Sequence, residues 1–357
     1  MPSFLGIGKK KGQSSSSTAS PAYQGSPHSQ SNSQASNSHA ATAAPAAPSS
    51  SSSSSSPSQT HFDIAGLPII VYGLSELTLS TSSSTAPRPP DVCVSFHLHG
   101  RGGDAKNEDH ICRGIYQRAT SNVAASSTSQ PARELLVVTF DARNHGHRTT
   151  NSLGQKGWGV GNKQHALDLY GMILGNAADV SFLIDLLPAY LFPHDDRRVS
   201  AWCVMGKSLG GHAVWHVLKD EPRVTVGVNM IGCPDYGRLL EYRTKQAFLS
   251  NGPPHVPRSL KALIQARDPA KSPFDRWGKE NPYWGKRILS LSGADDKLVH
   301  ASFSKPFLSR LMVAEPHGAG GVQEGLEVRF IEGVGHEVTP AMVEEAGRWI
   351  GQWGMRV

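Results

Sequence analysis

The segment AWCVMGKSLGGHAVW, residues 201–215, carries two side chains that could do chemistry, and they imply different reactions. As A-x-x-x-x-G-K-S it matches a relaxed phosphate-binding loop, in which Lys207 would contact the phosphates of a nucleotide. As G-x-S-x-G it matches a nucleophile elbow, in which Ser208 would attack a carbonyl carbon. The choice between the two motifs decides between nucleotide binding and nucleophilic catalysis.

The residues around Ser208 favour the elbow. A phosphate loop needs glycines before its lysine, so that backbone N–H groups converge on the phosphates. Here the four residues before Gly206 are Trp, Cys, Val and Met, which are typical of a buried strand. An elbow needs such a strand, and then small residues two positions before and two positions after the serine. Gly206 and Gly210 occupy those positions, and an apolar helical face follows at Leu209, Ala213, Val214, Val217 and Leu218.

Candidates for a base and an acid follow two later apolar runs. A serine hydroxyl needs a histidine base that is oriented by a carboxylate, and elbow enzymes supply them in the order serine, acid, histidine. After RILSL comes SGADDKLV, with Asp295 and Asp296, and after LEVRFI comes EGVGH, with His336. Because ligands bind outside the carboxyl ends of the strands in open α/β sheets, we expect these side chains to meet Ser208 there.

A mostly parallel sheet is the element that would position these residues. Short apolar runs alternate with helical patterns, which predicts an α/β fold with a mostly parallel central sheet and helices on both faces. One helical pattern covers 162–191, and another runs from Met342 to Trp353, with Thr339 and Pro340 suited to its N-cap and first position. The predicted strands are 67–80 (one or two segments), 92–98, 135–140, 199–205, 224–231, 287–291 and 326–331.

Residues 234–284 interrupt this alternation with several prolines, aromatic residues and charges. About fifty residues are too many for an ordinary loop between two strands. The segment is predicted to be an inserted lid over the site, with one helix near 259–266; a surface excursion with its own packing is the alternative.

The serine, acid and histidine patterns resemble the α/β-hydrolase superfamily, over nearly all of residues 62–357. In that family the acid lies in G-x-x-D-x-x-V, which Gly293, Asp296 and Val299 match, so the resemblance implies that Asp296 is the acid. Asp295 remains the competing candidate. The family's histidine lies in a glycine-rich turn after the last strand, and His336 matches it.

The same resemblance extends to HLHGRGG, residues 97–103, which is similar to the family's H-G motif after an early strand. It implies an oxyanion hole made by the backbone N–H groups of Leu209 and Arg101, with Gly102 as the alternative to Arg101. His99, Gly100 and Lys207 are further candidates for contacts with substrate. Lys207 stands where the family usually has His, Tyr or Phe.

The loop DARNHGHR, residues 141–148, is similar to the family's D-x-R-G-x-G loop and is interpreted as structural, with Asn144 where glycine is common. The H-x-H pairs His97/His99 and His145/His147 contain ligand types that zinc prefers. However, a binuclear hydrolase would continue as H-x-H-x-D-H, and Gly-Arg-Gly follows His99 instead. No metal or other cofactor is therefore expected.

Residues 1–60 differ from the rest of the chain. They hold a serine run at 49–56, almost no large apolar residues and no Asp or Glu, so they are predicted to be a disordered tail before a single domain, 62–357. Three of the six net positive charges are Lys9, Lys10 and Lys11, and the body has no basic stripe that would indicate nucleic-acid binding. The N-terminus lacks an apolar secretion signal, and no later run is expected to cross a membrane.

The four cysteines form no C-x-x-C pair, which favours a reducing, cytoplasmic location. The sequence as a whole favours a serine hydrolase that acts on a carboxylic ester or thioester through an acyl-enzyme, and it looks most like the esterase, dienelactone-hydrolase and prolyl-oligopeptidase-like branch of the superfamily. The alternatives are a serine peptidase or acyl-peptide hydrolase, a non-catalytic binding protein on the same fold and, as the least favoured, a nucleotide-binding protein. The expected partner is a small ester, thioester or short peptide; the sequence does not indicate the acyl group, the leaving group or the oligomeric state.

Overall fold

A computed structural model of the chain describes residues 56–78, 89–124, 132–317 and 322–356. The predicted tail lies outside the described residues up to position 55. The first strand of the sheet starts at Gln59, three residues before the predicted start of the domain at residue 62. Exposed and less exposed residues alternate along this strand, QTHFDI, which forms an edge of the sheet.

An eight-stranded sheet forms the centre of the domain, with the strand order β1-β2-β4-β3-β5-β6-β7-β10. The pairs β1–β2 and β2–β4 are antiparallel, and all other neighbours are parallel. This confirms the predicted α/β fold. The strands are β1 Gln59–Ile64, β2 Leu67–Tyr72, β3 Val92–Leu98, β4 Glu134–Phe140, β5 Val199–Lys207, β6 Val224–Met230, β7 Arg287–Gly293 and β10 Leu326–Ile331; a separate two-residue pair comprises β8 Pro316–His317 and β9 Val322–Gln323.

Helices cover both faces of the sheet. Successive residues of a strand point to opposite faces, and in β5 Val204 packs in one hydrophobic cluster with α2 and α3 while Cys203 packs in the other with α1 and α7. The predicted cap of the last helix is confirmed, since the Thr339 side chain accepts a hydrogen bond from the Met342 N–H. The helices are α1 Asp109–Ala124, α2 His165–Leu191, α3 Leu209–Asp220, α4 Tyr236–Gln246, α5 Arg258–Arg267, α6 Ala301–Leu308 and α7 Pro340–Trp353.

The insertion between β6 and β7 contains two helices where the sequence predicted one. The helix α5 lies where it was predicted, whereas α4 was missed because its sequence, YGRLLEYRTKQ, is mostly polar. The apolar side of α4 is nevertheless buried, with Tyr236 and Leu239 at most 3% exposed, and the Tyr236 hydroxyl donates to the Ala166 carbonyl of α2. The first part of the insertion is therefore packed into the domain and does not form a detached cover.

The helix α2 corrects one expectation. It has 27 residues, and an 18-residue window within it has a mean hydropathy of 1.4. By length and composition it could therefore cross a membrane, contrary to the sequence-based expectation that no later run could. Half of its apolar window is buried inside the domain, where Leu169, Ile173 and Leu183 join the core. A buried core helix passes the same test of length and composition, so the helix is weak evidence for a membrane segment.

Candidate active site

The turn at Ser208 has the geometry of a nucleophile elbow. β5 ends at Lys207, α3 begins at Leu209, and Ser208 between them has φ 52° and ψ −109°. A non-glycine residue rarely adopts this conformation, and it persists only where its surroundings enforce it. Two hydrogen bonds fix it here: the Ser208 N–H donates to the Met230 carbonyl at 3.0 Å, and the Ser208 carbonyl accepts from the His212 N–H at 2.8 Å.

Two glycines allow the elbow to form. A Cβ on Gly206 would lie 2.7 Å from the carbonyl carbon of Gly210, and a Cβ on Gly210 would lie 2.0 Å from the carbonyl oxygen of Leu98 in β3. Both obstacles are backbone atoms, which cannot turn away as a side chain could. The small residues that the motif requires are therefore needed because α3 passes directly over the ends of β5 and β3.

Replacing Gly210 with alanine should lower the free energy of unfolding by about 3 kcal/mol, because the new methyl group overlaps a backbone oxygen and must displace α3 from β3. The measurement is urea unfolding followed by circular dichroism. Gly157→Ala is a matched control, since Gly157 has φ −87° and a Cβ at this position would meet no atom within 4 Å. Equal midpoints for the two variants would contradict this account of the elbow.

A continuous line of hydrogen bonds joins the three residues that the sequence analysis placed after separate strands. The Oγ of Ser208 lies 2.8 Å from Nε2 of His336, and Nδ1 of His336 lies 2.7 Å from Oδ2 of Asp296. Ser208 follows β5, Asp296 follows β7 and His336 follows β10, all at the same edge of the sheet. His336 is partly exposed, whereas Asp296 is buried.

The Asp296 carboxylate is held in its charged form. Burial alone would raise its pKa, but hydrogen bonds from His336 and from the backbone N–H groups of Val299 and Leu298 outweigh burial and hold the pKa below its ordinary value. Both N–H groups donate to Oδ1 at 2.8 Å, which leaves Oδ2 for His336. The side chain therefore has a fixed orientation, and one oxygen faces the imidazole.

The neighbouring Asp295 has a different task. Its side chain is exposed, and Oδ2 accepts a hydrogen bond from the Gly333 N–H at 2.9 Å, in the turn that leads to His336. The approach of that turn also depends on Gly293, where a Cβ would lie 2.2 Å from the Val334 carbonyl oxygen. Of the two candidate acids, Asp296 contacts the histidine and Asp295 holds the histidine-bearing turn.

Two backbone N–H groups near Ser208 are left unused. The N–H groups of Ser208 and Gly210 donate to the carbonyls of Met230 and His99, but those of Leu209 and Arg101 form no hydrogen bond among the described residues. Leu209 is the first residue of α3, where an N–H has no partner within the helix. The two donors are those that the resemblance implied for an oxyanion hole.

His99 and Gly100, candidates for contacts with substrate, instead support this loop. The Ala142 N–H donates to Nε2 of His99 at 2.9 Å, so Nε2 carries no proton and Nδ1 donates to the Gly100 carbonyl at 2.7 Å. Burial lowers the pKa of His99, which keeps the ring neutral. Both ring nitrogens are occupied, so the structure gives His99 a structural contact and no free group for a ligand.

Lys207 has a partner that the sequence analysis did not find. Its ammonium lies 2.7 Å from Oε1 of Glu108, and the other carboxylate oxygen accepts from Nε2 of His97 at 2.9 Å. Glu108 is 2% exposed. An ion pair with a buried carboxylate accounts for Lys207, and β5 extends through this residue with no glycine cradle, so the phosphate-loop interpretation is wrong.

The Glu108 carboxylate should contribute to stability in a pH-dependent way. Burial alone would raise its pKa, but His97 and Lys207 outweigh burial and lower the pKa from about 4.5 to about 2. Because the pKa is lower in the folded state, the charged carboxylate stabilises the folded protein above about pH 4.5. This stabilisation is lost as the pH falls toward 2.

Glu108→Gln should therefore lower the free energy of unfolding by about 2–3 kcal/mol at pH 7, because it leaves the Lys207 charge without its counter-charge. The difference in the free energy of unfolding between Glu108→Gln and the unchanged protein should shrink as the pH falls from 4.5 to 2. Urea unfolding across this range measures it, with the exposed Glu315→Gln as the control. A difference that grows toward low pH would contradict the ion pair.

The loop from Asp141 to Arg148 is structural, as the sequence analysis interpreted it. Asp141 accepts hydrogen bonds from the N–H groups of Ala105 and His147, both at 2.8 Å. Asn144 has φ 62°, the left-handed conformation that explains the usual glycine there. No group of three or more potential metal ligands occurs within the described ranges of the chain.

A cavity of about 950 Å³ lies elsewhere, between β1, β2 and the start of α1, and is lined in part by His61, Ile70 and Asp109. None of its lining residues belongs to the Ser208–His336–Asp296 line of hydrogen bonds. The candidate site lies instead at the carboxyl ends of β5, β7 and β10.

Comparisons with known proteins support the fold. No protein-family model matches the sequence, and no curated protein is significantly similar to it. The crystal structure of TT1662 from Thermus thermophilus aligns with a TM-score of 0.55 and 19% identity, over 83% of this chain and 98% of that one. A putative dipeptidyl aminopeptidase IV from Bacteroides ovatus aligns with a TM-score of 0.51 and 14% identity, over 83% of this chain and 36% of that one. The chain has the α/β-hydrolase fold.

Proposed function

We propose that this protein is a serine hydrolase that cleaves a carboxylic ester or thioester through an acyl-enzyme. The observation that carries the proposal is the unbroken line of hydrogen bonds from Ser208 through His336 to Asp296, with Ser208 on a strained elbow. This chemistry requires a strained nucleophile, a base within hydrogen-bond reach of it, and a fixed carboxylate that orients the base.

The geometry supports a two-step reaction. Ser208 Oγ attacks the carbonyl carbon while Nε2 of His336, at 2.8 Å, takes the hydroxyl proton. Asp296 holds Nδ1–H and stabilises the imidazolium that forms. His336 then gives the proton to the leaving alcohol or thiol. Water enters, His336 removes a proton from it, and the resulting attack releases the acid and restores Ser208.

The unused N–H groups of Leu209 and Arg101 are the proposed oxyanion hole. The carbonyl oxygen becomes negative as Ser208 attacks, and preorganised donors that face it lower the barrier by about 2.7–4 kcal/mol each. The N-terminus of α3 adds a favourable field at the same place, because a helix carries a partial positive charge there. The proposed oxyanion hole uses only backbone groups, so the Arg101 side chain is not part of it.

The alternatives differ in what they predict. A non-catalytic protein on this fold would not react at Ser208, and a serine peptidase would cleave amides as well as esters. The structural neighbour from Bacteroides ovatus is described as a putative dipeptidyl aminopeptidase. Activity should therefore be measured with amide substrates as well as with esters. The described cysteines are all free and buried, which supports the proposal of a reducing, cytoplasmic location.

Active-site labelling tests the proposal directly. The folded protein should react with one equivalent of a fluorophosphonate probe, because only an activated serine attacks phosphorus at a useful rate. Peptide mapping by mass spectrometry should place the adduct on Ser208. A folded protein that takes up no probe, or takes it up at another serine, would refute the proposal.

A further inference from the structure

Arg243, in α4, carries a guanidinium group that forms no ion pair with any of the described residues. Its Nε and Nη1 atoms are buried and form no hydrogen bond with any of them. Burial is the largest cause of the lowered pKa of Arg243, which is about 10. Buried charges are normally paired and hydrogen-bonded, and leaving one unpaired is costly. Such a group in a packed helix requires an explanation.

Arg101 brings a second cation to the same place. Its Nη1 donates to the Gln155 carbonyl, which carries no formal charge, and within the described residues no carboxylate forms an ion pair with Arg101 or Arg243. The charge of Arg101 helps to lower the pKa of Arg243, and burial with both charges lowers the pKa of His165 to about 4. The two guanidinium groups are therefore near enough to interact with each other and with the neutral imidazole of His165.

The pair of arginines lies beside the proposed catalytic residues. The backbone N–H of Arg101 is itself a proposed oxyanion donor. Arg243 is near enough to interact with the Asp296 carboxylate and to lower the pKa of His212. His212 lies one turn along α3 from Ser208 and donates its N–H to the Ser208 carbonyl. Both arginines therefore lie near the proposed catalytic residues.

The groups around the pair do not neutralise it. Asp296 already accepts hydrogen bonds from His336 and two backbone N–H groups. Burial raises the pKa of Tyr236, so its hydroxyl is uncharged, and it donates to the Ala166 carbonyl. Burial lowers the pKa of His212 to about 3, so that ring is neutral as well. A negative charge that pairs directly with either guanidinium group is therefore missing among the described residues.

We propose that the substrate brings it: the Arg243–Arg101 pair binds a carboxylate group on the substrate, a short distance from the ester carbonyl that Ser208 attacks. This inference rests on the proposed function and specifies its substrate class, an ester that also carries a free carboxylate. A guanidinium fork matches a planar carboxylate with two parallel hydrogen bonds, and such charge-assisted pairs are strong where water is partly excluded.

Two pairs of matched esters test the preference. Monoethyl glutarate and ethyl valerate differ on the acyl side by a carboxylate in place of a methyl group, and 4-acetoxybutanoate and butyl acetate differ in the same way on the alcohol side. In one of the two pairs, kcat/KM measured by acid release should be more than about tenfold higher for the anionic ester. Arg243→Gln should remove at least about tenfold of that preference, and Arg243→Lys should retain part of it.

Arg238→Gln is the matched control, because it removes the same charge from the same helix, where Arg238 is exposed and paired with Asp235. It should leave the preference unchanged. Binding is measured separately by calorimetry with glutarate, glutaramide and inorganic phosphate, in the wild-type and Ser208→Ala proteins. Glutarate should bind both proteins, glutaramide should bind neither, and Arg243→Gln should weaken glutarate binding at least about tenfold.

These measurements separate the two proposals. A protein that reacts with the fluorophosphonate probe but shows no preference in either ester pair and no glutarate binding would overturn the carboxylate site alone. Glutarate binding without probe labelling would overturn the proposed function and support the site. Phosphate binding more tightly than glutarate would overturn the assignment to a carboxylate.

Discussion

Replacing Ser208 with alanine should lower kcat for 4-nitrophenyl butyrate by about 10⁴–10⁶-fold and abolish fluorophosphonate labelling. The hydroxyl is the proposed nucleophile, and neither His336 nor the oxyanion donors can form the acyl-enzyme without it. Some acceleration over water should remain, because the proposed oxyanion hole and the binding surface are intact. The measurement is initial-rate kinetics on protein whose folding has been verified by circular dichroism.

The control for Ser208→Ala is Ser302→Ala, at an exposed serine near the start of α6. It should change neither labelling nor rate. Full activity in Ser208→Ala would show that the line of hydrogen bonds is not the site of the reaction. An equal loss of labelling and rate in both variants would show that the loss in Ser208→Ala does not come from removal of the nucleophile.

Changing Asp296 to asparagine should lower kcat by about 10⁴-fold with little loss of stability. The backbone N–H groups of Leu298 and Val299 both donate to Oδ1, so they select the amide oxygen for that position and direct the NH₂ group at His336. Nδ1 of the histidine must then accept a hydrogen bond, and its proton moves to Nε2. In that tautomer Nε2 cannot take the proton of Ser208.

Asp295→Asn is the matched control, one residue away. Its amide oxygen can still accept from the Gly333 N–H, so kcat should stay within about threefold, as for a surface substitution that keeps its hydrogen bond. Kinetics of the two variants under the same conditions decide between the acids. A large loss of kcat in Asp295→Asn, together with an active Asp296→Asn, would show that Asp295 is the acid.

The strands and the line of three residues are the features that local sequence predicted best. β3 and β10 have the predicted bounds, because valine, isoleucine and phenylalanine, which favour strands, recur in these runs. Ser208, Asp296 and His336 could be predicted together because each belongs to a short motif at the end of such a run. The parallel sheet then brings the three strand ends to one edge.

What the sequence did not predict depends on contacts between distant residues. The Lys207–Glu108 ion pair joins two elements with no shared motif, because it forms only where the short 3₁₀ turn Lys106–Glu108 lies against the end of β5. The unpaired guanidinium of Arg243 is also invisible in sequence, since α4 resembles a solvated helix with basic residues. A signal did exist for α4: Asp235 precedes it as an N-cap, and its side chain accepts from the Arg238 N–H.

The position of β10 at the margin of the sheet affects how the protein would lose activity. β5, which leads to Ser208, is central and mostly buried. β10, which leads to His336, has β7 as its single partner among the described strands and is partly exposed along its whole length. Marginal segments open locally at a lower free energy than a central strand. Detachment of β10 would separate His336 from Ser208 while the core of the domain stayed folded. As denaturant or temperature rises, the protein would therefore lose activity before it unfolds.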